Sequence, residues 1–166
     1  MESSVLMNRI TIEKGKAIIP STLSPEATTF LAEFMRCILL CNSIVVDNDK
    51  YKCDSPDELC LVHYCKELGG ELLDKKGLSV EININGVNET WQVEKTLEFS
   101  SERKRMSVLA YSEELGRSVL YSKGADDMIL SRSVKSGTLE NVDMEKNFVD
   151  MTACLREYAD TGYVIE

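Results

Sequence analysis

Apolar positions along the chain recur at two different intervals, and the change of interval divides it. Between residues 24 and 41, Leu31, Phe34, Met35, Ile38 and Leu39 follow one another at the three- and four-residue steps that line one face of an α-helix. Ser24 ahead of Pro25 and Glu26 predicts its start, because a serine hydroxyl accepts an unpaired N–H of the first turn and proline fits that turn. The stretch "SPDELCLVHYCKELGG" (55–70) repeats the device more sharply. Ser55 and Glu58 match an S-x-x-E capping box around Pro56, Leu61, Val62, Cys65 and Leu68 form the apolar stripe, and Gly69-Gly70 predicts the stop. After Gly77 the interval shortens to two. "LSVEININGVNETWQVEKTLEF" (78–99) reads as two strands joined at Asn85-Gly86, a strong two-residue hairpin signal.

"MSVLAY" and "SVLYSK" predict a further strand pair across the loop 112–117, and "ADDMILSRS" a short helix. Weak strand signals stand at Ile10–Ile12 and Ala17–Ile19. Met144, Phe148, Met151, Leu155 and Tyr158 predict a helix near the end of the chain. The expected fold is α/β (α+β), a twisted antiparallel sheet flanked by helices, in a single domain spanning 1–166.

Composition narrows the functions. The 166 residues, 43% hydrophobic and 28% charged, suffice for one buried core. With 28 acidic against 19 basic residues the net charge is −9, which argues against a broad grip on nucleic acid or an anionic membrane surface. No apolar run approaches the ~20 residues of a membrane helix, so a soluble polypeptide is expected. The six cysteines sit mostly in apolar runs and show no disulfide framework, so reduced thiols acting as small core residues are expected. Cys60, His63 and Cys65 crowd one short helical stretch, an unfavourable arrangement for tetrahedral zinc, and no metal site is expected.

Positive charge is concentrated in one place. In "LEFSSERKRMSV" (97–108) an apolar strand runs into Glu102, Arg103, Lys104 and Arg105. Phe99 at the junction is either the last core residue or a flat face for a base. Arg103, Lys104 and Arg105 are either a charged strand edge that resists aggregation or part of an anion site. Lys123-Gly124 on the neighbouring strand favours the second, because glycine lets a backbone approach a ligand beside another lysine. Glu58 is likewise open: it closes the capping box, points into a site, or does both. The chain has one histidine and none of the G-x-x-x-x-G-K-[ST], G-x-G-x-x-G or G-x-S-x-G patterns, so no catalytic residue is expected.

Three segments together, "SPDELCLV" (55–62), "LEFSSERKRMSV" (97–108) and "YSKGADDMI" (121–129), resemble the nucleotide-binding (N) domain of P-type ATPases. "SPDE" with "KRMSV" and "KGAD" is most similar to the phospholipid-translocating branch, the lipid flippases, and "LCNSIVV" (40–46) resembles the segment that precedes "SPDE" there. The resemblance covers roughly residues 28–132. It implies that Phe99 stacks on adenine, Glu58 reaches the adenine amino edge, Lys104 approaches the phosphates, and Lys123 with Gly124 lines the pocket floor. Ser101 and Arg103 are second-tier candidates.

It also implies ATP as ligand, Mg²⁺ arriving with ATP on ligands mainly outside this chain, and the phosphorylation and actuator domains of the same parent chain as partners. The expected setting is the cytosolic domain of an integral membrane protein, itself monomeric and not membrane-embedded. Two departures stand out. "DKTGT", "TGD" and "GDGxND" are absent, so the chain is expected to be an excised domain that binds ATP without hydrolysing it. Where the family has the arginine of "GLRTL", this sequence reads "TGYVIE" (161–166). The rival expectations are the N domain of an ion-pumping branch and an interaction module on the same fold.

Overall fold

The computed structural model describes residues 25–48 and 50–133, with side chains from residue 28, together with residue 153 and the backbone of four short strands at 11–13, 16–18, 138–139 and 142–143. The chain forms two compact units, Met1–Lys123 and Gly124–Glu166. In the first, β1 (Thr11–Glu13) pairs with β2 (Lys16–Ile18), followed by α1 (Pro25–Leu40), the hairpin β3 (Val45–Asp47) and β4 (Lys50–Lys52), and α2 (Pro56–Glu67). Then come β5 (Gly70–Lys76), β6 (Ser79–Ile84), β7 (Val87–Ser100), β8 (Arg105–Ser112) and β9 (Arg117–Gly124). These five make one antiparallel meander in sequence order. The second unit takes the last residue of β9, then α3 (Asp126–Leu130) and the pair β10 (Thr138–Leu139) and β11 (Val142–Asp143).

Alternation along β6 explains the core. Val80, Ile82 and Ile84 are buried, whereas Glu81 between them is exposed. They face Met35, Ile38 and Leu39 of α1 and Val62, Cys65 and Leu68 on and just after α2, with Trp91 of β7 fully buried among them. Both helices therefore cover the same face of the sheet. Close approach of α1 to β5 depends on Gly70: a Cβ there would stand 2.9 Å from Met35 Sδ and 3.3 Å from Leu39 Cδ1. Asn85 (φ +51°) and Gly86 (φ +88°) both take left-handed backbone, the geometry a two-residue hairpin demands.

The strands β3, β4 and β5 had no counterpart in the sequence reading. "GELLDKK" carries two adjacent leucines and then three charges, so no period of two emerges, and a bulge between Leu72 and Asp74 shifts what alternation there is. The "SPDE" helix, the Asn-Gly hairpin and the β8–β9 pair are observed, and the two weak N-terminal strands each appear one residue away from expectation. Phe34 lies 44% exposed rather than in the helix's apolar stripe. Ser24 as a cap and the stripe at 144–158 lie outside the described residues.

Among the cysteines, Cys41 and Cys65 are buried, and burial pushes the Cys37 and Cys65 thiols up to about 12, so they remain protonated. Cys60, in contrast, is exposed. No described helix is long and apolar enough to cross a membrane.

Candidate functional site

The start of α2 sets the first element of the site. Ser55 is extended (φ −95°, ψ 110°), and its Oγ accepts the Glu58 N–H at 3.4 Å, as the capping pattern predicts. The reciprocal half of the box is not formed. The Ser55 N–H donates instead to Cys53 Sγ, and the Glu58 carboxylate turns away from its own helix. Its Oε1 accepts Lys123 Nζ of β9 at 2.7 Å. Its Oε2 accepts both the N–H and the Oγ–H of Ser43, at 2.8 and 2.6 Å, with Cys53 Sγ donating at 3.4 Å.

The Glu58 and Lys123 side chains are only 14% and 20% exposed. Burial alone would raise the Glu58 carboxyl. Hydrogen bonds from Lys123 and then from the Ser43 hydroxyl and N–H outweigh it and bring the group down from 4.5 to about 2. Glu58 is therefore an anion at neutral pH.

Ser43 owes its position to the end of α1. Asn42 is buried; its Nδ2 donates to the Ile38 and Leu39 carbonyls that the helix leaves open, and its Oδ1 accepts the Ile44 N–H. This fixes the turn and presents both Ser43 donors to Glu58. Lys75 of β5 completes the underside, its Nζ donating to the Asn42 carbonyl at 2.7 Å. Desolvation lowers its pKa, and the charges of Glu58 and then Glu98 oppose that shift.

Glu98 leads to the second element. β7 ends at Ser100 and β8 begins at Arg105, with Ser100 paired to Arg105, so Ser101, Glu102, Arg103 and Lys104 form a four-residue turn. Arg103 and Lys104 of the positive cluster thus sit at the tip of a hairpin, and Arg105 opens β8. Ser100 closes it: Oγ accepts the Arg103 N–H at 3.2 Å and the carbonyl accepts the Lys104 N–H at 2.7 Å. Arg103 donates to the Glu98 carbonyl and Arg105 to the Arg103 carbonyl. Lys104 is exposed and takes φ +49°, a left-handed backbone that disfavours a residue with a Cβ. Phe99, 62% exposed, stands just before this tip and is not a core residue.

The hairpin tip and the Glu58–Lys123 pair lie at the same end of the sheet. Leu97 pairs with Ser107, and Ser107 Oγ meets Ser122 Oγ at 2.8 Å, so one row crosses β7, β8 and β9. Phe99 lies two residues beyond that row and Lys123 one. Gly124 closes β9 and belongs to the second unit, where Asp126 and Asp127 open α3.

Sequence reasoning missed Ser43, Cys53 and Lys75. Ser43 lies within the quoted "LCNSIVV", but nothing in its spacing to Glu58 signals a contact; Lys75 lies in a strand that carried no pattern. A separate cleft of about 420 Å³ beside β4 and α2 contains none of the candidate residues. Two of its polar side chains are already engaged, the Tyr51 hydroxyl on the Leu72 carbonyl and Lys66 on Glu71. Among the described residues no three His, Cys, Asp or Glu side chains are grouped as metal ligands.

The family model for the P-type ATPase cytoplasmic domain N matches residues 30–162. Phospholipid-transporting ATPase DNF1 of Chaetomium thermophilum is 33% identical over 129 residues, covering 74% of this chain and 8% of its own length. Phospholipid-transporting ATPase tat-1 of Caenorhabditis elegans is 31% identical over 143 residues, covering 83% and 12%. Phospholipid-transporting ATPase DNF2 of Saccharomyces cerevisiae is 35% identical over 144 residues, covering 78% and 8%. The chain thus spans about a tenth of the length of these relatives. By that match over most of its residues, carried on the antiparallel sheet and the "SPDE" helix just described, the chain belongs to the cytoplasmic N-domain family of P-type ATPases and is most like its phospholipid-transporting branch.

Proposed function

We propose that this chain binds ATP as the nucleotide-binding domain of a phospholipid-translocating P-type ATPase and presents the γ-phosphate to an aspartate in a separate domain of the parent. One observation carries the reading: a half-buried carboxylate–lysine pair, Glu58–Lys123, stands at the same sheet end as an exposed aromatic, Phe99, and a cationic hairpin tip. Stacking a base on Phe99 removes apolar surface from water and supplies ring contact. Glu58, held ionised, accepts the exocyclic amino group of adenine. Lys104 and Lys123 attract phosphate oxygens as point charges, with Ser101 and Arg103 of the hairpin turn as further candidates and Gly124 following Lys123 in the chain.

Phosphoryl transfer is left to the rest of the parent. It needs a positioned nucleophile and Mg²⁺ bridging the phosphates, and no residue here is assigned either task. The chain alone then binds weakly, on the order of −4 to −6 kcal/mol, a high-micromolar to millimolar dissociation constant. The test is an NMR titration with ATP. Shifts clustered at Phe99, Lys104, Lys123 and Glu58 are expected; their absence at millimolar ATP would sink the reading and favour an interaction module. Incubation with γ-labelled ATP and Mg²⁺ should leave no acid-stable label on the chain.

A further inference from the structure

Among the described residues the Glu58 carboxylate has four contacts, and three fall on one oxygen. Oε2 takes the N–H and hydroxyl of Ser43 and the Cys53 thiol, and only Lys123 meets Oε1. We infer that Ser43 is a positioning residue that sets a preference for adenine over guanine, by occupying Oε2 and leaving Oε1 as the single acceptor for a base. The inference rests on the ATP reading above and adds to it the origin of base selectivity.

The chemistry follows from hydrogen-bond inventory. The terminal torsion of a glutamate is a broad, weakly restrained rotor. Two donors from one residue, one on the backbone and one on the side chain, grip Oε2 and stop that rotation. Adenine offers one exocyclic amino group, which a single fixed acceptor can take once Lys123 shifts toward the phosphates. Guanine offers two adjacent donors, its ring N–H and its 2-amino group, and a carboxylate holds both only with two free oxygens. With Oε2 occupied, that paired contact is not available, and the guanine carbonyl oxygen would meet Oε1 acceptor to acceptor. A buried polar group left without a partner is what makes such sites selective.

Ser43 is also suited to be tested. It is exposed, and among the described residues its hydroxyl contacts only Cys53 besides Glu58, so its removal opens no cavity in the core. The experiment measures dissociation constants for ATP and for GTP with the 166-residue chain, for wild type, Ser43→Ala and Ser43→Thr. Ser43→Ala should lower the preference for ATP about tenfold or more, the factor a hydrogen bond to a charged group is worth, by weakening ATP and strengthening GTP. Ser43→Thr keeps both donors and should retain the wild-type ratio. As a readout independent of nucleotide, carbon-13 titration of the Glu58 carboxyl should move upward in Ser43→Ala and not in Ser43→Thr. Should Ser43→Ala not fold, Ser43→Gly removes the same hydroxyl and is read the same way. A wild type that prefers ATP, with the same preference in Ser43→Ala or with equal loss in Ser43→Thr, overturns the role of Ser43 alone. A wild type that binds neither nucleotide overturns this inference together with the ATP reading beneath it.

Discussion

Among the described residues two ion pairs are held at low exposure in the first unit, one where α1 crosses β7 and the other between the start of α2 and β9. In the first, Arg36 grips Glu89 through two parallel bonds, Nε to Oε2 at 2.9 Å and Nη2 to Oε1 at 2.6 Å. Trp91 Nε1 donates to the same carboxylate at 2.9 Å, Arg36 also holds Glu33, and Glu33 accepts the Tyr121 hydroxyl. The fork of a guanidinium matches a carboxylate and leaves little to exchange. In the second, a single ammonium on a flexible stem meets one oxygen of Glu58, at the same sheet end as an exposed aromatic and a cationic turn. The same two charges lock the first site and leave the second able to trade a partner. An ion pair is read by its geometry and neighbours, not by its presence.

That contrast predicts which substitutions unfold the chain and which only weaken its ligand. Arg36→Met leaves the partly buried Glu89 carboxylate without its charged partner, with only Trp91 still donating, and should reduce unfolding free energy by about 1–3 kcal/mol in urea denaturation, whereas Arg36→Met with Glu89→Leu should recover most of it. If the single and double variants are equally unstable, the first site is no lock. Acid acts on both pairs at once. Glu58 is lowered from 4.5 to about 2 and Glu89 is lowered in the same direction, so their stabilisation is complete above about pH 4.5 and is lost as pH falls toward 2. Thermal melts of the wild type should show that loss, and Arg36→Met should show a shallower one.

Phe99→Ala should cost roughly 1–3 kcal/mol in ATP binding by calorimetry and leave the unfolding midpoint nearly unchanged, because the ring lies outside the core. Lys123→Met should reduce stability by only about 1 kcal/mol, since Ser43 still holds the Glu58 carboxylate, while weakening ATP. A loss matching that of Arg36→Met would mean that the second pair is structural as well. Lys104→Gly should have the smallest effect on stability, a gain of a few tenths of a kcal/mol as left-handed strain is relieved against a looser unfolded chain. It should also flatten the salt dependence of ATP affinity more than Phe99→Ala does, which salt titrations would check.

Much of this was legible from neighbours in sequence. The helical stripe of α2, its Ser55 cap and the Asn85-Gly86 turn depend on residues within four positions of one another, where spacing and backbone preference decide the conformation. The aromatic at the end of β7, the lysines of the turn and the "KGAD" segment could be named as candidates because they are contiguous. What stayed hidden depends on pairings between distant residues. Ser55 and Glu58 spelled a complete capping box, yet the carboxylate left it, because Lys123, 65 residues away, and Ser43 together offer a charged partner and two further donors. The Arg36–Glu89 grip spans 53 residues, Lys75 became relevant only when β5 joined the sheet beneath Asn42, and the exposure of Phe99 followed from where β7 ends. A local pattern states which contacts a side chain is able to make. Which of them it does make is a competition settled by free energy among every partner that the folded chain brings within reach.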